Sequence, residues 1–477
     1  MADSISRQFA RWAANLKYED LSPEVVSKVK ALVLHAMTSV VLGGPDPKSE
    51  HAYHFTMKEE GKPDGASILW FGGKATRIGA TFANAETMHT SGLIDSYRML
   101  THPGPVLVPA AIANAELEGK NGKDLIVALA VGYELVFRLC DEFIPATAAN
   151  GYRPSPVYTT LGAALTTGKL LGLSEDGLAT TIAFAANMTN ALNQSSTEGG
   201  GDNAVHEPGS ARTGVFAAMM AKETGAKGAE HIIEGPAGFY NSFVGSTTGA
   251  IKYSFHEGKT QVDMDSITAG LGKEYKLLTA MFRMYPFAAY NQPVIDLIQE
   301  MKIEHQFNHE DIERLDVHMN WIETLYPSPA FPRYPDFDEA RNDSGRGTTH
   351  YYAAHSAVNG GYPVIGGKTY GPTGWDLGAD KVVDEFMRTK VHLIQEKNRA
   401  MFSPAVTITM KDGTKYTGDY PYHPRLEWTY DEVAKHLEDC LPGFALGEAG
   451  LKKIVATVSD LENHSSVQPL IDVVKKP

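Results

Sequence analysis

Five long segments between residues 105 and 225 are rich in alanine and leucine, and each would be apolar over much of the circumference of a helix. Helices of this kind are stable only when other elements cover them on several sides. The pattern therefore predicts one large core built from many packed helices. The segments read PVLVPAAIANAELEG, KDLIVALAVGYELVFRLC, TTLGAALTTGKLLGL, SEDGLATTIAFAANMTNAL and SARTGVFAAMMAKETG.

An earlier helix carries signals at both of its ends. In LSPEVVSKVKALVLHAMTSVVLGG, Ser22 suits the N-cap and Pro23 suits the first helical position. Gly43 marks the predicted end of the helix. The first half of the chain is therefore predicted to be helical.

The pattern changes near residue 280, where segments typical of strands begin. IERLDVHMNWI alternates apolar and polar residues as a strand does. AVTITMKDGTKYTGDY predicts a hairpin that turns at Asp412 and Gly413. Helix returns at TYDEVAKHLEDC, where Thr429 and Glu432 form a predicted capping box.

These changes predict a mainly α protein with an α+β second domain. We expect a large all-helical domain over residues 1–275, a smaller α+β lid domain over 276–424, and a helical return to the first domain over 425–477. A Pro- and Gly-rich region at 323–375 is unusually long for a loop, so it either closes over a site or decorates a subunit contact.

Charge and composition argue against several classes of function. The formal net charge is −14, from 43 basic and 57 acidic residues, which argues against nucleic-acid binding but allows a small anion in a local basic pocket. Cys140 and Cys440 supply too few thiolates for an iron–sulfur cluster. Because we find no signal peptide and no apolar run of ~20 residues, we expect a cytoplasmic protein without a membrane partner.

The stretch SGLIDSYRMLTHPGP places an aspartate and a histidine close together beside a loop. His89, Asp95 and His102 do not have the spacing that puts metal ligands on one helical face, so no metal site is predicted. Asp95 and His102 suit an acid–base pair, in which Asp95 orients or tunes an imidazole with an ordinary pKa of ~6.5. A helix-capping Asp95 with a surface His102 is an equal alternative.

Two further stretches place cationic or titratable groups where helices begin. Arg153 precedes Pro154, so we expect it in extended backbone at a helix entry, where a guanidinium can grip a carboxylate. In GGGDNAVHEPGSARTG, His206 lies just before a helix predicted to start at Pro208, and such an N-terminus favours an anion. An exposed loop arginine and a weak phosphate loop are the alternatives.

MFRMYPFAAYNQPVIDLIQEM combines a helix with a crowd of polar residues. Asn291 is predicted to cap that helix. Packing alone explains its apolar stripe, which is Val294, Leu297, Ile298 and Met301. Packing does not explain the polar residues just ahead of it, which are Arg283, Tyr285, Tyr290 and Gln292.

Because no G-x-S-x-G elbow, P-loop or dinucleotide fingerprint is present, the residues alone indicate a mostly helical enzyme for a small anion. The order of the stretches goes further, since it resembles the MmgE/PrpD family, which includes 2-methylcitrate dehydratase, cis-aconitate decarboxylase and iminodisuccinate epimerase. The matching pieces span most of residues 20–300: His102-Pro103, GKDLIVALAVGYELVFRL, LGAALTTGKLLGLSEDGLATTIAFAANMT, HEPGSARTGVFAAMMA, IIEGPAGF and MYPFAAYNQPVIDLI. THYYAAHSAVNGG is a fainter match to the lid segment of the family.

The resemblance implies an all-helical domain and an α+β lid with the active site between them. It also implies a homodimer, a small anionic carboxylate as substrate, and no need for a metal or an organic cofactor.

Several positions depart from the family pattern. Where the family has LDFDDT, this chain has GLIDSY, so Asp95 keeps the last acid and Ser96 replaces a threonine. Arg153 replaces a histidine and Asn203 a lysine. His206 matches a family histidine, Glu207 looks inserted, Arg283 replaces a lysine and Gln292 a histidine.

The resemblance makes Arg153, Arg283, Ser96, Asn203 and Gln292 the candidate substrate-binding residues. Arginine stays protonated, so the exchanges preserve carboxylate binding while removing groups that move protons. Acid–base chemistry then falls to the remaining candidates, which are His102, Asp95, His206, and Tyr97 or Tyr285 with a lowered pKa.

Three functions are compatible with this pattern. The first is a cofactor-independent lyase that dehydrates or decarboxylates a small di- or tricarboxylate by proton transfer alpha to a carboxylate. The second is an isomerase or epimerase, which needs only one base and one acid. The third is a non-catalytic relative that binds a ligand or a partner.

Overall fold

The computed structural model describes residues 3–198, 201–285, 287–326, 348–363, 380–420 and 426–477, without the side chains of residues 196, 197, 203 and 204. The protein is mainly α-helical with a small mixed sheet, which confirms the predicted fold class.

The α-helices are Ile5–Asn15 (α1), Pro23–Gly43 (α2), Pro47–Glu60 (α3), Arg77–Thr90 (α4), Gly104–Leu117 (α5), Gly122–Cys140 (α6), Ile144–Ala149 (α7), Pro154–Leu170 (α8), Glu175–Met188 (α9), Gln194–Glu198 (α10), His206–Thr224 (α11), Phe239–Phe243 (α12), Asn291–His305 (α13), Thr349–Asn359 (α14), Lys381–Thr389 (α15), Tyr430–His436 (α16), Gly447–Ser459 (α17) and Gln468–Val473 (α18). The strands are Gly61–Ser67 (β1), Lys74–Ala75 (β2), Asp95–Ser96 (β3), Met281–Phe282 (β4), Ile312–Asn320 (β5), Val391–Glu396 (β6), Ala405–Met410 (β7) and Lys415–Asp419 (β8). Short 3-10 helices are Tyr18–Asp20, Gly201–Val205, Met264–Ile267, Lys276–Thr279, His309–Asp311, Leu437–Gly443 and Leu461–Asn463.

The helices predicted to be covered on several sides form the centre of the core. Helix α8 packs against both α6 and α11, and α11 packs in turn against α4 and α9. Small residues allow close approach: a Cβ on Gly214 of α11 would lie 2.6 Å from the Cβ of Ala163 of α8. Such a contact excludes any larger residue at Gly214 without a shift of the helices.

Helix α2 confirms the predicted end signals and is also a core helix. The Ser22 side chain accepts a hydrogen bond from the Val25 amide, and the helix ends at Gly43. Contrary to the expectation from the sequence, its length and hydropathy would allow it to cross a membrane, but 83% of its apolar window is buried inside the protein.

The larger sheet has the strand order β6-β5-β7-β8, with β6 parallel to β5 and the other pairs antiparallel. Helices α13, α14 and α15 pack against these strands. The predicted strand and hairpin are confirmed, and so is the capping box of Thr429 and Glu432. The predicted domain boundaries are untested and stay predictions.

A small two-stranded sheet determines where the site forms. Strand β3 pairs antiparallel with β4, so that Asp95 lies opposite Phe282 and Ser96 opposite Met281. This pairing brings the loop that carries His102 beside the segment that carries Arg283, although they are far apart in sequence.

Two predicted helix starts are wrong by one or two residues. Helix α13 begins at Asn291 itself and Tyr290 is its N-cap, because the Asn291 side chain accepts a hydrogen bond from Thr349 Oγ1 instead. Helix α11 begins at His206 rather than Pro208. The stripe on α13 is buried as predicted. Most of the region 323–375 lies outside the described residues.

Candidate active site

Charged and titratable side chains meet where several elements begin or end. His89 is in the last turn of α4, Arg153 is the N-cap of α8, and Arg283 follows β4. His206 and Glu207 open α11, and His102 lies two residues before α5. The electrostatic coupling among these groups places them in one cluster, which we call the arginine–histidine cluster: His89, His102, Arg153, His206, Glu207 and Arg283.

Arg153 has the extended backbone predicted for it, with φ −76° and ψ 114°. Its amide donates to the Ala191 carbonyl at 3.0 Å, and Nη1 lies 3.4 Å from Tyr326 Oη. Burial disfavours its charge, but Tyr326 and Glu207 outweigh burial and raise the pKa of Arg153. The guanidinium is therefore a fixed positive charge inside the protein.

Arg283 is held by its backbone and by one guanidinium nitrogen. Its amide donates to the Ile94 carbonyl, its carbonyl lies 2.9 Å from His35 Nε2, and its Nε donates to the Gly92 carbonyl at 2.8 Å. Burial, with a contribution from the charge of Arg153, lowers the pKa of Arg283 to about 10. It remains charged at neutral pH.

A buried arginine elsewhere in the core shows which kinds of protein partner a buried guanidinium can have. Arg138 pairs with Glu134 and donates to the carbonyls of Ile267, Ala269 and Glu274. Within the described residues, neither Arg153 nor Arg283 pairs with a carboxylate, and the terminal nitrogens of Arg283 donate to no protein group. A buried charge without a partner is costly, so both guanidiniums are suited to an anionic ligand.

His102 is buried and held from two sides. Its amide donates to Ser155 Oγ at 3.1 Å, and Nδ1 lies 2.9 Å from the Asp95 carbonyl oxygen. Because a carbonyl can only accept, Nδ1 carries the proton and Nε2 keeps a lone pair. Burial and the two arginines lower the pKa of His102 to about 3, so it does not titrate near neutral pH.

The Asp95 carboxylate is not the partner of the imidazole, which corrects the expected pairing. It accepts from Tyr133 Oη at 2.6 Å and from the Gly104 amide at 2.7 Å, and so fixes the start of α5. A Cβ at Gly104 would lie 2.8 Å from Asp95 Oδ1, so glycine is needed there. Burial raises the pKa of Asp95 to about 6. Asp95 orients His102 through its main chain.

Glu207 is a central residue to which the sequence reasoning gave no role. It is 1% exposed, and Oε2 lies 3.4 Å from His89 Nε2. Burial alone would raise its pKa, but the basic groups around it, first His89 and then Arg153, lower the pKa of Glu207 to about 2. The only signal in the sequence was its position as an extra residue after His206.

His206 also belongs to the cluster, and its catalytic role stays a prediction. It is 9% exposed, and its charge interacts with Glu207 and Arg153. Burial is the main cause that lowers the pKa of His206, as it is for His89. At neutral pH the imidazoles of the cluster are therefore uncharged.

The two tyrosines do not have the lowered pKa that we expected. Tyr97 stacks on Phe137 at 4.0 Å and donates to Asp141, and burial raises the pKa of Tyr97 well above its ordinary value. Tyr285 stacks on Tyr362 at 3.7 Å, and burial raises its pKa as well. Neither phenol is suited to act as a base.

The remaining polar candidates from the sequence are Ser96, Gln292 and Asn203. Ser96 Oγ donates to the Arg98 carbonyl at 3.2 Å. Gln292 Oε1 accepts from the Met284 amide at 2.7 Å, so its amide group fixes the turn next to Arg283. The side chain of Asn203 lies outside the described residues. Ser96 and Gln292 thus have protein partners.

Unusual backbone conformations flank the cluster. Arg98 and Leu100, in the loop before His102, have φ of 50° and 62°, and Ala191, whose carbonyl accepts from the Arg153 amide, has φ of 153°. Residues with side chains rarely adopt these angles, and such strain is concentrated at functional sites.

Across the described ranges, no group of three or more His, Cys, Asp or Glu could hold a metal ion.

The family model for the MmgE/PrpD N-terminal domain matches residues 7–251. Cis-aconitate decarboxylase of Aspergillus terreus is 22% identical over 501 residues, which cover 99% of this chain and 96% of the relative. A cis-aconitate decarboxylase-like protein of Aspergillus oryzae is 26% identical over 59% of this chain and 58% of its own. The human cis-aconitate decarboxylase is 28% identical over 50% of each chain.

Proposed function

The chain belongs to the MmgE/PrpD family, and from that premise we propose that it is a cofactor-independent lyase that dehydrates or decarboxylates a small di- or tricarboxylate. Relatives named as decarboxylases support a lyase that acts on a carboxylate at the level of the family. The substrate and the type of elimination are our proposal.

One observation carries the proposal: two buried guanidiniums interact electrostatically with a neutral imidazole and form no salt bridge with a carboxylate in the described part of the chain. Guanidinium groups bind carboxylates through paired, charge-assisted hydrogen bonds. Arg153 and Arg283 would therefore hold the carboxylates of the substrate.

His102 is the proposed base. Its Nδ1–H is held by the Asp95 carbonyl, which leaves the Nε2 lone pair to accept a proton from the carbon alpha to a bound carboxylate. The two arginines lower the pKa of His102 in the empty site. Bound carboxylates would offset those charges, raise the pKa and make the imidazole a stronger base when the substrate is present.

The arginines would also stabilise the negative charge that develops during the reaction. Removing the α-proton leaves an electron pair that delocalises into the carboxylate as an enolate-like dianion, and fixed positive charges stabilise such charge. In a dehydration, that pair forms the double bond while hydroxide leaves with a proton as water. In a decarboxylation no α-proton is removed: the bond to the departing carboxylate breaks, carbon dioxide leaves, and the electron pair of that bond stays on the carbon, which takes up a proton. His206 is the proposed donor in either case, because it lies within the cluster, where bound carboxylates would raise its pKa and let it take up a proton from solvent before it donates.

The experiment is to offer 2-methylcitrate, citrate and cis-aconitate to the purified protein. We expect a change in unsaturation or release of carbon dioxide with at least one of them. The matched variant His102→Gln should abolish that signal. A folded protein that is inactive on all three would contradict the proposal.

An epimerase is the second candidate, and the three imidazoles of the cluster support it, because one can take a proton as a neutral base and another, after taking up a proton from solvent, can return one. Deuterium incorporation from D₂O into recovered substrate, without net elimination, would identify this reaction.

A homodimer in the cytoplasm stays a prediction, and light scattering would test the dimer.

A further inference from the structure

Glu207 has a carboxylate oxygen for which the described part of the chain supplies no donor. Glu207 Oε1 is buried and has no hydrogen-bond partner within the described residues. Oε2 lies 3.4 Å from His89 Nε2, beyond an ordinary hydrogen bond. Buried polar groups are nearly always satisfied, so this oxygen requires an explanation.

A structural carboxylate in the same core looks different. Glu134 is also fully buried, but Oε1 accepts from Arg138 and from the Lys276 amide, and Oε2 accepts from the Leu277 amide. Both of its oxygens are therefore satisfied by the protein. Glu207, in contrast, has an open acceptor among the residues that we propose to bind substrate.

The charges of the cluster limit what can bind beside Glu207. Arg153 and Arg283 contribute two positive charges, Glu207 contributes one negative charge, and the imidazoles are neutral at pH 7, which leaves one net positive charge. A carboxylate placed against Glu207 would meet a like charge in a buried site. A hydroxyl or an ammonium group there would instead donate the missing hydrogen bond.

We infer that Glu207 determines specificity: it accepts a hydrogen bond from a hydroxyl or ammonium group of the substrate and rejects a further carboxylate at that point. The inference rests on the proposed function, because the arginines are taken to hold the other carboxylates. It narrows the substrate to a carboxylate that carries a hydrogen-bond donor, so that of the three acids offered above citrate and 2-methylcitrate, which can place a hydroxyl on Glu207, are favoured over cis-aconitate, which has no such donor.

The test measures binding of four small probes to the full chain by calorimetry: succinate, malate, aspartate and tricarballylate. They share two carboxylates and differ in having no donor, a hydroxyl, an ammonium group, or a third carboxylate. We expect malate or aspartate to bind at least tenfold more tightly than succinate, and tricarballylate to bind most weakly. Whichever of malate and aspartate binds better identifies the donor.

Glu207→Gln should reverse this order, with at least a tenfold gain for tricarballylate and a loss for the donor-bearing ligand. The matched control is Glu86→Gln, because burial raises the pKa of Glu86 to about 8 and the substitution replaces one neutral group by another. Should Glu207→Gln fail to fold, Glu207→Asp keeps the charge, so it should weaken donor-bearing ligands and still reject tricarballylate.

Two results would overturn the inference in different ways. If Glu207→Gln keeps the wild-type order of all four probes, or Glu207→Asp leaves the affinity for the donor-bearing ligands unchanged, while Arg283→Gln weakens all four, Glu207 does not set specificity and the proposed function stands. If the wild-type protein binds none of the four, the proposed carboxylate site itself is wrong, and the role of Glu207 falls with it.

Discussion

His102 Nδ1 lies 2.9 Å from the main-chain carbonyl oxygen of Asp95, while the Asp95 carboxylate faces Tyr133 and Gly104. The two residues are partners through the backbone. A side-chain substitution at Asp95 therefore keeps the carbonyl oxygen that accepts from His102 Nδ1. Such a variant can change the stability of the fold while the orientation of the imidazole is kept.

Asp95→Asn should lower kcat by less than about tenfold, in contrast to the ~10⁴-fold loss seen when the carboxylate of a catalytic Asp–His pair is replaced. The substitution should reduce the free energy of unfolding by ~1–3 kcal/mol. The NH2 group of the new side chain would face the Tyr133 hydroxyl or the Gly104 amide, and both of these groups are donors. Steady-state kinetics and urea denaturation measure the two effects. A collapse of kcat with unchanged stability would contradict the backbone pairing.

The wild-type protein should lose stability from Asp95 as pH rises. The folded-state pKa of about 6 lies above the ordinary value of 3.8, so folding favours the protonated form. The stabilisation of the folded state by protonated Asp95 is fully present below the ordinary pKa of 3.8 and is lost as the pH rises through about 6. The loss in the free energy of unfolding is ~3 kcal/mol at most. Asp95→Asn should therefore be less destabilising near neutral pH than near pH ~4. Denaturation at both pH values checks this, and an equal penalty at both would contradict it.

His102→Gln should lower kcat by ~10²- to 10⁴-fold, because the proposed base is lost. Binding of a non-reacting carboxylate should change little, since the arginines remain. For the wild-type protein, kcat/KM should stay high below the ordinary histidine pKa, because burial and the arginines lower the pKa of His102 to about 3 and the base stays deprotonated. An acid limb centred near pH ~6.5 would exclude this assignment.

Arg283→Lys should raise KM by about tenfold or more, because an ammonium group cannot form the paired hydrogen bonds of a guanidinium. Arg212→Lys is the matched control, since Arg212 lies on α11 with a side chain that is 40% exposed. An equal effect of both substitutions on KM would argue against a carboxylate at Arg283.

His35 should act as a positioning residue for Arg283, because its Nε2 contacts the Arg283 carbonyl at 2.9 Å. His35→Leu should raise KM more than it lowers kcat, and His35→Gln, which retains a donor, should restore most of the loss. Equal losses in both variants would point to a general packing defect.

The sequence predicted features that depend on neighbours in the chain. Ser22 caps α2 and Arg153 is extended before Pro154, because a hydroxyl and a proline ring act locally. Tyr97 and Tyr285 were misjudged because their pKa values depend on rings and carboxylates from distant segments. The sequence could assign no role to Glu207 for the same reason.

The central claim is that Arg153 and Arg283 hold the carboxylates of a ligand beside the free Nε2 of His102. A crystal structure of the protein with bound succinate tests it most directly. We predict carboxylate oxygens within hydrogen-bond distance of both guanidiniums and a methylene carbon facing His102 Nε2. Density for succinate elsewhere, with the two guanidiniums paired to protein carboxylates, would contradict the account.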